Sequence, residues 1–219
     1  MLEQGFSLPT EIQTKAIPAI LNGHSTIIAA ETGSGKTLAY LLPIFQQILL
    51  WKSRISIFNS PMAVVVTPNR ELAIQLGEVA QSIARRVDLQ VTTLLGGRTK
   101  LKMYPPRVHY DLLVVYLGAY KKGVNTEFFN TDNVHHIVLD EADTLLGAKF
   151  FNMLSHFMKK FAIQHKVQIQ KPPQGCQLTL ASATMPVELL EADCFGGPMS
   201  MKIISSSNLH RLLPNVSHK

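Results

Sequence analysis

Short apolar runs recur along the chain, separated by stretches in which apolar and polar residues follow a helical spacing. Thr26 to Ala30, Ala63 to Thr67, Val91 to Leu95, Asp111 to Tyr116, Ile137 to Leu139, Leu178 to Ala181 and Met201 to Ile204 are rich in β-branched and aliphatic residues and too short for helices. Being nearly continuous rather than alternating, they predict strands buried on both faces. Thr10 to Leu21, Lys36 to Leu50, Arg70 to Arg86, Lys149 to Ala162 and Val187 to Cys194 repeat apolar residues every third or fourth position and predict helices. In the fourth of these, Phe150, Phe151, Met153, Leu154, Phe157, Met158 and Phe161 read as a packing stripe. Strand and helix in turn give the βαβ rhythm of an α/β sandwich with a mostly parallel sheet. Ligands of such sheets sit beyond the carboxyl ends of the strands, which makes the loops after each run the places to search.

At 219 residues, 46% hydrophobic and 16% charged, the chain can bury the core of one large globular domain. Its apolar runs fall far short of the roughly 20 residues that cross a bilayer. The net charge of +6 permits a polyanionic partner without requiring one. Cys176 and Cys194 have neither zinc-site spacing nor the density of a disulfide framework, which sets a reducing, intracellular compartment as the expectation. The eight histidines, His135-His136 at the edge of a strand among them, show no ligand spacing and read as surface or core residues. Tyr104-Pro105-Pro106-Arg107 and Lys171 to Gly175 read as surface connections. After Ser205-Ser206-Ser207 the strand-helix rhythm stops, so residues 1–207 are expected to form the domain and 208–219 to begin a linker.

Two loops carry chemistry. The first predicted strand runs into Glu31-Thr32-Gly33-Ser34-Gly35-Lys36-Thr37, a glycine-rich turn whose backbone N–H groups can cradle phosphates at a helix N-terminus. Lys36 is placed to meet the β- and γ-phosphates, and Thr37 has the hydroxyl that ligates Mg²⁺. The bland reading, a structural Gly/Ser turn, does not account for the preceding strand, the following helix and the Lys-Thr pair together. Ile137-Val138-Leu139 then delivers Asp140-Glu141-Ala142-Asp143, where Asp140 can hold the metal and Glu141 can orient or deprotonate a water. Alone, the quartet would read equally well as a solvated helix start; its pairing with a phosphate loop favours catalysis.

With Ser182-Ala183-Thr184 after a further strand, the order and spacing of these motifs resemble the DEAD-box ATP-dependent RNA helicase family, specifically its N-terminal RecA-like domain. Pro9-Thr10-Glu11-Ile12-Gln13, with Gly5-Phe6 before it, is similar to that family's Q motif. The resemblance implies a RecA-like fold, ATP and Mg²⁺ as cofactors, and adenine selection by Gln13. It gives Thr32, Gly33, Ser34, Gly35, Lys36 and Thr37 the nucleotide, Thr37 and Asp140 the metal, and Lys36, Asp140, Glu141, Ser182 and Thr184 the catalytic machinery. Ser182 and Thr184 would couple the carboxylates to RNA unwinding. Pro68-Asn69-Arg70-Glu71-Leu72-Ala73 resembles the family's Pro-Thr-Arg-Glu-Leu-Ala, and Gly96-Gly97 its glycine doublet. Pro68, Arg70, Gly96, Gly97 and Gly118 would thus face an RNA backbone without reading its sequence.

One motif departs from the family. Where it has Thr-Pro-Gly-Arg, this chain has Tyr116-Leu117-Gly118-Ala119, which removes a hydroxyl and a phosphate-binding cation. Lys121 and Lys122, just after the turn, are candidates for the lost charge. The expected function is ATP-coupled RNA unwinding or ribonucleoprotein remodelling, by a monomer completed by a second RecA-like domain and nearly inactive without it. The alternative is a nucleotide-dependent RNA clamp or assembly scaffold. A DNA-acting relative is disfavoured by the resemblance at Gln13 and at the acidic quartet. Asp140 to Leu146 and Leu212-Leu213-Pro214 resemble organellar ribosome-assembly members, which makes mitochondria the first expectation and nucleolus or cytoplasm the alternatives.

Overall fold

A computed structural model describes residues 8–52, 60–96, 109–121, 130–168, 174–184, 195 and 201–207. In chain order the elements are α1 (Glu11–Leu21), β1 (Thr26–Ala29), α2 (Lys36–Trp51), β2 (Ala63–Thr67), α3 (Arg70–Ala84), β3 (Val91–Leu94), β4 (Leu112–Tyr116) and α4 (Leu117–Lys121). They continue with β5 (His136–Asp140), α5 (Ala142–Leu146), α6 (Ala148–Met158), β6 (Ile163–Gln164), β7 (Cys176–Ser182) and β8 (Lys202–Ser205). The strands form one sheet in the order β3-β4-β2-β5-β7-β1-β8, with β6 beside β7, and every pairing between these strands is parallel.

Two apolar layers enclose the sheet. Because successive side chains of a strand point to opposite faces, Ile28, Val65, Val114 and Val138 join α1, α2 and α3 in one cluster. Ile27, Val64, Val66, Leu139 and Leu180 join α4, α5 and α6 in the other. β1, β2, β5 and β7 are buried along their whole length, as their unbroken apolar runs predict. The fold class read from the sequence is therefore the observed one.

Three elements differ from expectation. The turn at Tyr116-Leu117-Gly118-Ala119 opens a short helix, α4, and the acidic quartet opens α5. The helix predicted to Ala162 stops at Met158, where the Phe161 N–H bonds to the Met158 carbonyl and turns the chain into β6. The aromatic stripe packs as expected, with Phe150, Leu154, Phe157, Met158 and Phe161 buried and Phe151 and Met153 partly so. His135 and His136 lie at the amino end of β5, as expected, and are core residues: both are buried, against Trp51, whose ring stacks on that of His136 at 5.6 Å. Burial, with His135 adding to it, pushes the His136 imidazole down to about 3. The predicted helix Val187 to Cys194, the segment Tyr104 to Arg107 and residues 208–219 lie outside the described residues.

A candidate nucleotide site at the carboxyl rim of the sheet

Sheet order decides which loops meet. β7 lies between β5 and β1, so their three carboxyl ends are adjacent, with Asp140 opposite Ala181 and Ala29 opposite Ser182. The Ala30 N–H donates to the Ser182 carbonyl at 3.1 Å, tying the root of the phosphate loop to the end of β7. Around these ends opens a cavity of about 540 Å³. Thr32, Gly33, Gly35, Lys36 and Thr37 line one wall, Asp140, Glu141 and Ser182 another, and Gln13 a third.

The phosphate loop adopts the geometry its glycines allow. Gly33 and Gly35 have φ of +82° and +93°, and a Cβ on Gly35 would come within 2.5 Å of the Gln13 amide nitrogen. Gly35 caps α2 without a side-chain acceptor, so the first-turn N–H groups of that helix are left for an anion. Lys36 Nζ donates to the carbonyls of Ala30 and Glu31, the latter at 2.9 Å. Half-burial holds this ammonium below its ordinary value, opposed by the charges of Asp140, Asp143, Glu141 and Glu31. Thr37 stands one residue on, at the same helix end. Ser34, within the loop, has its hydroxyl buried and without a hydrogen-bond partner, and it does not line the cavity.

Gln13 belongs to a capping box. Its Oε1 accepts from the Thr10 N–H at 3.1 Å, its own N–H donates to Thr10 Oγ1, and its Nε2 donates to the Gly35 carbonyl at 3.3 Å. The amide thus braces α1 against the phosphate loop. Gly5 and Phe6 lie outside the described residues.

The acidic wall is strained as well as charged. Glu141 has φ +51°, rare for a residue with a side chain, and caps α5. Asp140 accepts from the Tyr40 hydroxyl at 2.8 Å through Oδ2 and from the Glu141 N–H at 3.0 Å through Oδ1. Burial raises the Asp140 carboxyl; the Tyr40 and Glu141 hydrogen bonds and Lys36 work against it. Burial also raises Glu141, helped by the charges of Asp140 and Asp143. Thr184 Oγ1 donates to Asp143 Oδ2 at 3.2 Å, and the Thr184 N–H donates to Ser182 Oγ, so the Ser182-Ala183-Thr184 loop grips the acidic quartet. Hard oxygen donors in this arrangement suit Mg²⁺, which binds through one or two protein oxygens, substrate phosphates and water. Sequence reasoning missed Tyr40, because a tyrosine on an apolar helix face carries no signal, and Leu72, which lines the cavity from α3.

The residues expected to meet RNA gather on the other half of the rim, after β2, β3 and β4. Arg70 is exposed at the start of α3, while Pro68 is buried and shapes the turn before it. Asn69, standing where the family has threonine, caps α3 by accepting from the Leu72 N–H at 2.7 Å. Gly96 has φ +74°, and a Cβ there would come within 2.9 Å of the Ala119 methyl. A Cβ on Gly118 would meet the Tyr116 hydroxyl at 2.2 Å, so the altered turn is filled by its own side chains. Gly97 and Lys122 lie outside the described residues.

A phosphate loop at the end of β1, facing carboxylates at the end of β5 across β7, defines a nucleotide-binding α/β domain of the phosphate-loop class. A family model described as DEAD/DEAH box helicase matches residues 10–192, and the chain belongs to that family. It is 40% identical over 217 residues to the probable ATP-dependent RNA helicase DDX28 of Mus musculus, covering 95% of this chain and 40% of the relative. The Arabidopsis thaliana protein named DEAD-box ATP-dependent RNA helicase 47, mitochondrial, is 32% identical over 206 residues, covering 86% of this chain and 37% of the relative. The crystal structure of a DEAD box protein from Methanococcus jannaschii superposes with a TM-score of 0.72 at 27% identity, covering 94% of this chain and 52% of that one. The chain thus spans about two-fifths of the length of the curated relatives it matches.

Proposed function

We propose that this domain binds Mg-ATP and, in the whole protein, couples its binding and hydrolysis to RNA unwinding or remodelling. The observation that carries the reading is the convergence of Lys36, Thr37, Asp140, Glu141 and Ser182 on one cavity from three adjacent strand ends. Lys36 and the uncapped N-terminus of α2 would hold the β- and γ-phosphates, and Gln13 would lie beside the adenine. Thr37 and Asp140 would hold the Mg²⁺. When bound, that ion supplies neutralisation of phosphate charge and a template for in-line attack. Glu141, its basicity raised by burial and by neighbouring carboxylates, would take up a proton from the attacking water.

RNA would follow the opposite half of the rim, over Arg70 and the close-packed glycines Gly96 and Gly118, through backbone contacts that carry no sequence information. Gly97 and Lys121 and Lys122 complete that proposal. Thr184, bonded to Asp143, would carry changes in the nucleotide site toward the RNA. Residues 1–207 are read as the domain and 208–219 as the start of a linker to a second RecA-like domain, which would supply the arginines for transition-state charge. The mitochondrial name of one relative supports a mitochondrial role, and a monomeric state is the simplest.

The decisive measurement compares RNA-stimulated ATP hydrolysis by the 219-residue chain and by a longer protein carrying a second domain. The reading expects Mg-ATP binding by both and RNA-stimulated turnover by the longer one only. Vigorous RNA-stimulated turnover and duplex unwinding by the 219-residue chain would contradict it. The self-filled turn at Tyr116 to Ala119 supports the second reading, an RNA clamp that does not unwind. Normal unwinding by the longer protein without an Ala119→Arg change would exclude the clamp.

A further inference from the structure

Tyr40 lies on the second turn of α2, one helical step beyond Thr37, with its ring wholly enclosed in the core. A phenol in such a place must place its hydroxyl on a partner or carry the cost of an unsatisfied buried group. Its O–H donates to Asp140 Oδ2 at 2.8 Å. A phenol has one proton, and this bond uses it. Asp140 is fixed from two sides, by Tyr40 on one oxygen and by the Glu141 N–H on the other.

We propose that Tyr40 is a positioning residue of the metal–nucleotide site, its hydroxyl holding the Asp140 carboxylate in the orientation that Mg²⁺ requires. The inference rests on the Mg-ATP reading above. The bond from Tyr40 to Asp140 joins the helix after β1 to the end of β5, across a hundred positions of sequence. Mg²⁺ demands near-ideal octahedral geometry and tolerates displaced donors poorly, so a loosened carboxylate should be felt as lost metal affinity. Tyr40 does not line the cavity and acts only through Asp140.

Tyr40→Phe removes one oxygen and keeps the ring that fills the core. The readout is the affinity of the 219-residue chain for a fluorescent ADP, titrated with Mg²⁺ and in EDTA, with near-ultraviolet circular dichroism to verify the fold. The half-saturating Mg²⁺ concentration should rise about three- to tenfold, the share expected of one net hydrogen bond. The ratio of metal-loaded to metal-free affinity should fall with it. In an Asp140→Asn background the same change should add little further, because the hydroxyl acts through that carboxylate. An unchanged Mg²⁺ midpoint in Tyr40→Phe overturns the proposal while the Mg-ATP reading stands, as does full additivity with Asp140→Asn. If the unaltered chain binds ADP without any Mg²⁺ dependence, the Mg-ATP reading fails and this inference with it.

Discussion

The two halves of the carboxyl rim are built in different ways. On the nucleotide half, side chains are fixed by polar bonds between elements distant in sequence: Gln13 to Gly35, Tyr40 to Asp140, Thr184 to Asp143. On the half proposed to face RNA, the described loops are shaped by close packing of small residues, Gly96 on Ala119 and Gly118 under Tyr116, with a helix cap at Asn69. A small, charge-dense ligand needs donors held within a fraction of an ångström, and polar networks supply that. A polymer backbone gripped without regard to sequence needs mainly a surface of the right shape. The motif that departs from its family lies on the half proposed to face RNA, while the nucleotide motifs are nearly complete.

The contrast can be broken most forcefully at Lys36. Lys36→Ala should weaken ADP binding roughly a hundredfold, as expected for losing charge-assisted bonds to phosphate, with little change in RNA affinity. Fluorescence titration of both ligands separates the halves; parallel losses would merge them. On the other side, Gly96→Val forces a β-branched residue into φ +74° and against Ala119, and should cost about 2–3 kcal/mol in a denaturant melt. Nucleotide affinity of the folded fraction should be retained.

A third test uses β5, which carries Asp140 at one end and His136 at the other. His136 has a folded-state value of about 3 against an ordinary 6.5, so the unfolded chain binds the extra proton between these limits. Its contribution is full above pH 6.5 and is lost as pH falls, by roughly 2 kcal/mol near pH 5. Urea melts across this range should show the slope, and His136→Phe should flatten it. The smallest effect is expected at the substituted motif position. Asn69→Ala should cost about 1 kcal/mol through loss of the α3 cap, and Asn69→Thr only a few tenths, because both side chains cap. Equal losses in thermal melts would mean that the cap is not what Asn69 provides.

Much of this was legible in the sequence. Unbroken apolar runs announced strands buried on both faces, and the phosphate loop announced itself because its chemistry is local: glycines, lysine and threonine act within one turn of backbone. The acidic quartet was legible as a unit for the same reason. His135-His136 was not, since a dipeptide gives no sign of which neighbours will enclose it. Neither was α4, where Leu117 and Ala119 are drawn into the core of the helical layer. Tyr40 and Leu72 were invisible because their places at the site depend on elements distant in sequence. Which strand lies beside which is set by long-range burial of apolar faces, and the insertion of β7 between β5 and β1 is what brings Ser182, Asp140 and the phosphate loop together. The sequence alone determined the class of fold and the ligand-holding turn, through local periodicity and backbone chemistry; only the tertiary structure decided the company that turn keeps, because adjacency across a sheet is written in no single segment.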